Sequence, residues 1–309
     1  MIDFIKARCT DKEWIENILV ENPEHFNTNQ KLKCSDGEIT YPLMGNLENL
    51  RIKVTERDAY LSGSLHKYFN LKKIGKAANC DQFSFCDLIE SIKLLQIDLQ
   101  NYDLRKTVIT QLESGFNIEV DNCQELIRNK ILMEKFRLFT ANGDNTRIDQ
   151  RNFRRDDYVM KIYHKGKEHE NEELCSYELL RFEVKITRSR VLKNMGICSL
   201  LDLKRLDCFN SIYKSLISRF KNLTIIDELN PKELRDHSSK EIILFKDGIN
   251  PFYWNNLRGT DSSRKKKAFN RLLENLNLLN TKRDIMHKIS QQYGFMIHGT
   301  SLKPSPSQC

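Results

Sequence analysis

The first two hundred residues switch between two hydrophobic periods. In "NLRIKVT" (49–55), Leu50, Ile52 and Val54 fall on one side of an extended chain. "ERDA" turns it, and "YLSGSLHKYF" (60–69) alternates again, which predicts a β-hairpin. "FSFCDLIESIKLLQIDL" (83–99) carries apolar residues at helical spacing, as does "CQELIRNKILMEKF" (123–136), so both are read as helices. "TVITQLESGFNIEV" (107–120), "YVMKIYHKG" (158–166) and "LLRFEVKIT" (179–187) read as strands. Beyond residue 198 the helical period takes over, in 200–220 and 265–294, with "EIILFK" (241–246) as the main strand signal. The pattern predicts an α+β fold over 1–200, an antiparallel sheet with helices packed on one face. A mostly helical region follows over 201–309, ending in a Ser/Pro-rich tail expected to fray.

Successive strand side chains point to opposite faces, so each strand also says where its polar residues go. Val108, Leu112, Phe116 and Ile118 share one face, opposite Gln111, Glu113, Asn117 and Glu119. Leu61, Leu65 and Phe69 lie opposite Ser62, Ser64 and His66. Tyr158, Met160 and Ile162 lie opposite Lys161, Tyr163 and Lys165; Phe182, Val184 and Ile186 lie opposite Arg181, Glu183 and Lys185. In one antiparallel sheet, the polar side would gather Glu113, Glu119, His66, Tyr163, Lys165 and Glu183. Those are ingredients of metal-assisted phosphoryl transfer: hard ligands, a hydroxyl nucleophile and a lysine for developing charge. Solubility alone also produces such a face. By the same alternation Tyr158 and His164 belong to the apolar side.

Composition narrows the class. The chain has 309 residues, about 39% hydrophobic and 30% charged, which suits a globular protein. It lacks the run of roughly 18 apolar residues that a membrane span needs. The start, "MIDFIKARCTDKEW", has no signal-peptide core, so a cytoplasmic location is expected. Nine cysteines without a C-x-x-C pair argue against a zinc finger or a disulfide framework. Walker, G-x-G-x-x-G, H-E-x-x-H and G-x-S-x-G motifs are missing, so the commonest enzyme classes lose support. The net charge of +8, with clusters at 151–157, 185–193 and 263–267, points to a polyanion, nucleic acid first.

"LLRFEVKITRSRVLKNMGI" (179–197) closely resembles the R-F-E-x-x-I…L-K-x-x-G segment of the filamentous-phage gene II/gene X replication proteins, a branch of the HUH-type rolling-circle endonucleases. "VMKIYHKGKE" (159–168) resembles that family's Y-x-K-x-x-E strand, "TQLESGFNIEV" (110–120) its acidic strand, and "LSGSLHKYFN" with "AANCDQFSF" its S-x-x-K…G-x-N…F stretch. The segments occur in order over about residues 1–205; the His-hydrophobic-His triplet of the wider superfamily is absent.

The resemblance implies an HUH/RRM-like domain that nicks one strand of an origin through a 5′-phosphotyrosine intermediate and starts rolling-circle replication. It makes Tyr163 the nucleophile, with Lys165 and Glu183 catalytic and Glu113, His66 and Glu183 holding Mg²⁺ or Mn²⁺. Lys67, Arg181, Lys185, Arg188, Arg190 and Lys193 would contact DNA. The partners it implies are single-stranded or supercoiled origin DNA, with a host helicase and polymerase as further candidates. Two alternatives share these residues: a DNA-binding replication regulator without cleavage, and a mobilisation relaxase with the same chemistry.

Overall fold

A computed structural model of the chain describes residues 2–28, 39–140, 149–168, 175–230 and 237–298; the tail 301–309 and His169 lie outside them. The strands are β1 (Ile2–Cys9), β2 (Leu43–Leu47), β3 (Leu50–Val54), β4 (Ala59–Ser64), β5 (Thr107–Glu119), β6 (Ile131–Glu134), β7 (Gln150–Arg154), β8 (Tyr158–His164), β9 (Leu179–Ile186) and β10 (Leu223–Ile225). The helices in the first half are α1 (Lys12–Glu21), α2 (Leu65–Ile74), α3 (Phe85–Asp98), α4 (Cys123–Glu125), α5 (Lys165–Glu168) and α6 (Ser189–Asn194). Those that follow are α7 (Leu206–Lys221), α8 (Ser239–Gly248), α9 (Pro251–Asn255), α10 (Gly259–Asn275) and α11 (Asn280–His298).

Eight strands form one antiparallel sheet in the order β2-β3-β4-β1-β5-β9-β8-β7, and β6 pairs with β10 separately. The α+β class and the large antiparallel sheet therefore agree with the expectation. Helices α3, α7 and α11 form a layer on the apolar side. Phe220 of α7 meets Phe182 edge-on at 5.2 Å, Tyr213 meets Phe116 at 6.3 Å, and Phe209 meets Phe85 of α3 at 5.1 Å. Ile285, Ile289 and Met296 of α11 join the same core, so helices on both sides of residue 200 share it. A smaller apolar cluster around Trp254, Phe269 and Leu273 joins α8, α9 and α10 to Met133 of β6.

Five local expectations change. The strand expected over 60–69 stops at Ser64, whose hydroxyl accepts from the Lys67 N–H and caps α2; Gly75, at φ 68°, closes that helix. Residues 241–246 are helical within α8, whose start is a capping box of Ser238 and Glu241. The helix expected over 123–136 gives way after Lys130 to strand β6. In β5 the register against β1 shifts between the Gln111 and Ile109 pairs, so Ile109 is buried and Val108 is not on the core side. Cys80 and Cys175 are joined in a disulfide with Cα atoms 5.4 Å apart, although the cysteine pattern argued against a disulfide framework.

Candidate metal and nucleophile site

The site lies on the polar side of the central strands. Antiparallel pairing sets Lys161 opposite Glu183, and Tyr163 opposite Arg181, across β8 and β9. On the other flank β5 brings Gly115 opposite Glu183 and Glu113 opposite Lys185. Asp3 comes from β1. Ile5, Ala7 and Cys9 face the core, and a register irregularity between Ile2 and Ile5 shifts the alternation there. Asp3, Glu113 and Glu183 thus converge, with carboxylate oxygens within 4.8 Å of one another. Gly115 provides the room. A Cβ there would lie 2.3 Å from the Phe182 carbonyl oxygen and 2.9 Å from the Glu183 Cα.

A dense polar network holds these groups. Arg181 is buried at 4% exposure; it donates to Asp3 Oδ2 at 2.9 Å, Asn117 Oδ1 at 2.8 Å and Glu183 Oε2 at 3.3 Å. Asp3 also accepts from Ser64 Oγ and, at 2.9 Å, from Asn79 Nδ2. Lys161 Nζ donates to Glu183 Oε1 at 2.7 Å and lies 3.8 Å from Glu113. The Tyr163 hydroxyl donates to Glu183 Oε2 at 3.4 Å. Lys165 begins α5, with Nζ 2.8 Å from Glu168 and 5.9 Å from the Tyr163 ring centre.

Three carboxylates thus share two bound cations, Lys161 and Arg181. Glu113 carries the imbalance: burial, and then the Glu183 charge, push its carboxyl up to about 7. Burial also disfavours the Asp3 carboxylate, but Arg181 and the Ser64 hydrogen bond outweigh it and hold Asp3 below its ordinary value. Burial works against the Arg181 charge, yet Asp3 and Glu183 keep the guanidinium firmly protonated. Burial and the Glu183 charge raise the Tyr163 phenol well above its ordinary value, so it is protonated at neutral pH. Burial lowers Lys165, with Glu168 opposing.

The donor set fits a hard divalent cation. All three groups offer carboxylate oxygen, the ligand Mg²⁺ and Mn²⁺ prefer, and neighbouring ligand oxygens in an octahedral site sit about 3 Å apart, a short side-chain adjustment away. Lys161 now bridges Glu113 and Glu183, and its side chain is 32% exposed on a flexible stem, so it can swing aside.

The structure brings Tyr163, Glu113 and Glu183 together as the alternation predicted; the strand expected over 158–166 ends at His164, so Lys165 reaches the Tyr163 ring from the start of α5, and His66 lies outside the triad. His66 sits in the first turn of α2, stacked on Phe83 at 4.7 Å, with Nε2 2.8 Å from Asp81. Arg181, expected at the DNA, is instead a buried positioning residue whose guanidinium is taken up by Asp3, Asn117 and Glu183. Lys185 lies at the rim, with Nζ 4.6 Å from the Phe4 ring centre, and the Lys67 N–H is used in the α2 cap. Arg188, Arg190 and Lys193 are exposed where β9 leads into α6; Arg190 pairs with Asp157 at 2.8 Å. Sequence reasoning missed Asp3, Lys161 and Gly115. Lys161 had a readable signal, because it shares the parity of Tyr163. Comparison with protein-family models and with curated proteins gives no match.

Proposed function

We propose that this chain is a metal-dependent enzyme that nicks and rejoins one DNA strand through Tyr163 and starts rolling-circle replication of a phage, plasmid or integrated element. The observation that carries this reading is the Tyr163 hydroxyl, 3.4 Å from Glu183, one member of the carboxylate triad. The large antiparallel sheet with helices on its apolar side is compatible with an HUH-type domain. In this reading Glu183 takes the phenol proton as the Tyr163 oxygen bonds to phosphorus; the P–O3′ bond breaks, and the proton taken by Glu183 is passed on through water to the leaving oxygen, which becomes a free 3′-OH. Lys165 adds positive charge beside the phenolate as it forms. Asp3, Glu113 and Glu183 would hold a divalent cation, and the chemistry it would supply is neutralisation of charge on the phosphate oxygens. Arg181 fixes the Asp3 and Glu183 carboxylates by hydrogen bonds to both.

A second reading follows from Lys161 and Arg181 satisfying most of the carboxylate oxygens: the cluster is an ion-pair network in a DNA-binding regulator that does not cleave. Supercoiled DNA carrying the element's origin, incubated with Mn²⁺ or with EDTA, separates the two. The enzyme reading predicts metal-dependent relaxed circles that Glu183→Gln and Tyr163→Phe abolish. Undiminished nicking by Tyr163→Phe, or binding with no nicking under any metal, would overturn it.

A further inference from the structure

A second basic feature lies on the helical side of the sheet, away from the triad. It is a cavity of about 380 Å³ between β6, β10 and α10, lined by Lys135, Phe136, Lys221, Lys266, Lys282 and Glu274 among others. Four lysines face one carboxylate. Among the described residues, none of the four lysines forms an ion pair with an acidic side chain.

Two details set this groove apart from a solvated basic surface. The first is Lys282. Its Nζ donates to the Lys221 carbonyl at 2.8 Å and the Leu223 carbonyl at 2.6 Å, which uses two of the three ammonium protons and leaves one. Burial alone lowers its pKa to about 8, with no carboxylate acting against it. A buried ammonium without a counter-charge gains from an anion in the groove.

The second is the turn that presents Lys135 and Phe136. Glu134 and Arg137 exchange backbone hydrogen bonds of 3.0 Å in both directions, and the two residues between them have φ of 50° and 60°. A two-residue turn with both centres at positive φ favours Asn-Gly, because other side chains are strained there. This chain has Lys-Phe instead. Lys266 Nζ lies 5.2 Å from the centre of the Phe136 ring, and that ring packs on Trp254 at 4.6 Å. The strained pair thus puts one cation and one aromatic platform into the groove.

We propose that this groove binds the phosphodiester backbone of a nucleic-acid strand, as a docking site separate from the Tyr163 centre. The choice of nucleic acid rests on the proposed function; the oxyanion chemistry rests on the groove. Lys135, Lys266 and Lys282 would each meet a phosphate, and Phe136 supports Lys266 from below. Contacts of this kind give affinity and salt dependence without reading sequence.

The test uses the full chain in a Tyr163→Phe background with EDTA, so that chemistry is silent, and follows anisotropy of a fluorescein-labelled oligothymidylate. Lys135→Asn, Lys266→Gln and Lys282→Gln should each weaken binding and reduce the slope of log affinity against log salt by about 0.7, the value of one lost single-strand phosphate contact. Lys135→Asn should also melt at or above the parent temperature, because Asn accepts positive φ. That combination separates a binding role from a structural one. Unchanged affinity and slope in Lys135→Asn and Lys266→Gln would overturn the proposal. Displacement of the oligonucleotide by inorganic phosphate at equal phosphate concentration would overturn the strand assignment in favour of a small-anion site. A wild-type chain that nicks nothing would still report on the groove, and a groove that binds nothing would leave the Tyr163 reaction untouched.

Discussion

Glu113→Gln should stabilise the metal-free protein, and only where Glu113 would otherwise ionise. In the folded chain this carboxyl sits at about 7, against an ordinary 4.5. At 1.36 kcal/mol per pKa unit, an ionised Glu113 costs the folded state about 3 kcal/mol. The sign follows from proton uptake. Between pH 4.5 and 7 the folded state binds more protons than the unfolded one, so stability falls as pH rises through that window. Below it the penalty vanishes, and above it the penalty is complete. Gln keeps the shape and removes the charge. Urea unfolding in EDTA should therefore place the variant about 3 kcal/mol above wild type at pH 8, and less than about 1 kcal/mol above it at pH 5. Saturating Mn²⁺ should narrow the pH 8 gap, because a cation on the triad stabilises wild type more than the variant. A variant equal to or less stable than wild type at pH 8 would refute the charge imbalance on which the metal reading rests.

Arg181→Met should cost about 3–5 kcal/mol in urea unfolding at pH 7, since it strands the buried Asp3 and Glu183 charges; a change near zero would return Arg181 to the surface role its sequence suggested. Gly115→Ala should cost about 1–3 kcal/mol by overpacking against Phe182 and Glu183, and thermal melting that leaves Tm unmoved would show that the β5–β9 contact is looser than described. Tyr163→Phe should lose all covalent attachment to DNA. Its stability should stay within about 1.5 kcal/mol of wild type, because only one long hydrogen bond, at 3.4 Å, is removed. A larger loss of stability would make Tyr163 a structural residue first.

Much of the site was legible from strand parity. Tyr163, Lys161, Glu183 and Arg181 are spaced by two along uninterrupted strands, and pairing of β8 with β9 preserves that spacing in space. Parity failed where the strand was irregular. Asp3 reaches the site next to a register shift in β1, and Val108 lies before one in β5. His66 was misplaced for a different reason: Ser64 caps a helix, which replaces a period of two with a period of 3.6. The same capping signal, Ser238 with Glu241, would have turned 241–246 from strand to helix. Arg181 illustrates a further limit. Parity put it on the polar side correctly, but the cover over that side comes partly from the segment that leads into α3. There the Asn79 side chain donates to Asp3, and the Asn79 and Cys80 carbonyls accept from Asn117. These contacts span 37 to 76 positions, so no local pattern contains them.

The most direct measurement is the chemical identity of the protein–DNA bond. Single-stranded origin DNA and Mn²⁺ are incubated with the protein, the DNA is trimmed by nuclease, and tryptic peptides are mapped by mass spectrometry. The account predicts a 5′-phosphonucleotide on the peptide containing Tyr163, and none when EDTA replaces Mn²⁺. An adduct on another residue, or strand cleavage with no adduct at all, would contradict it.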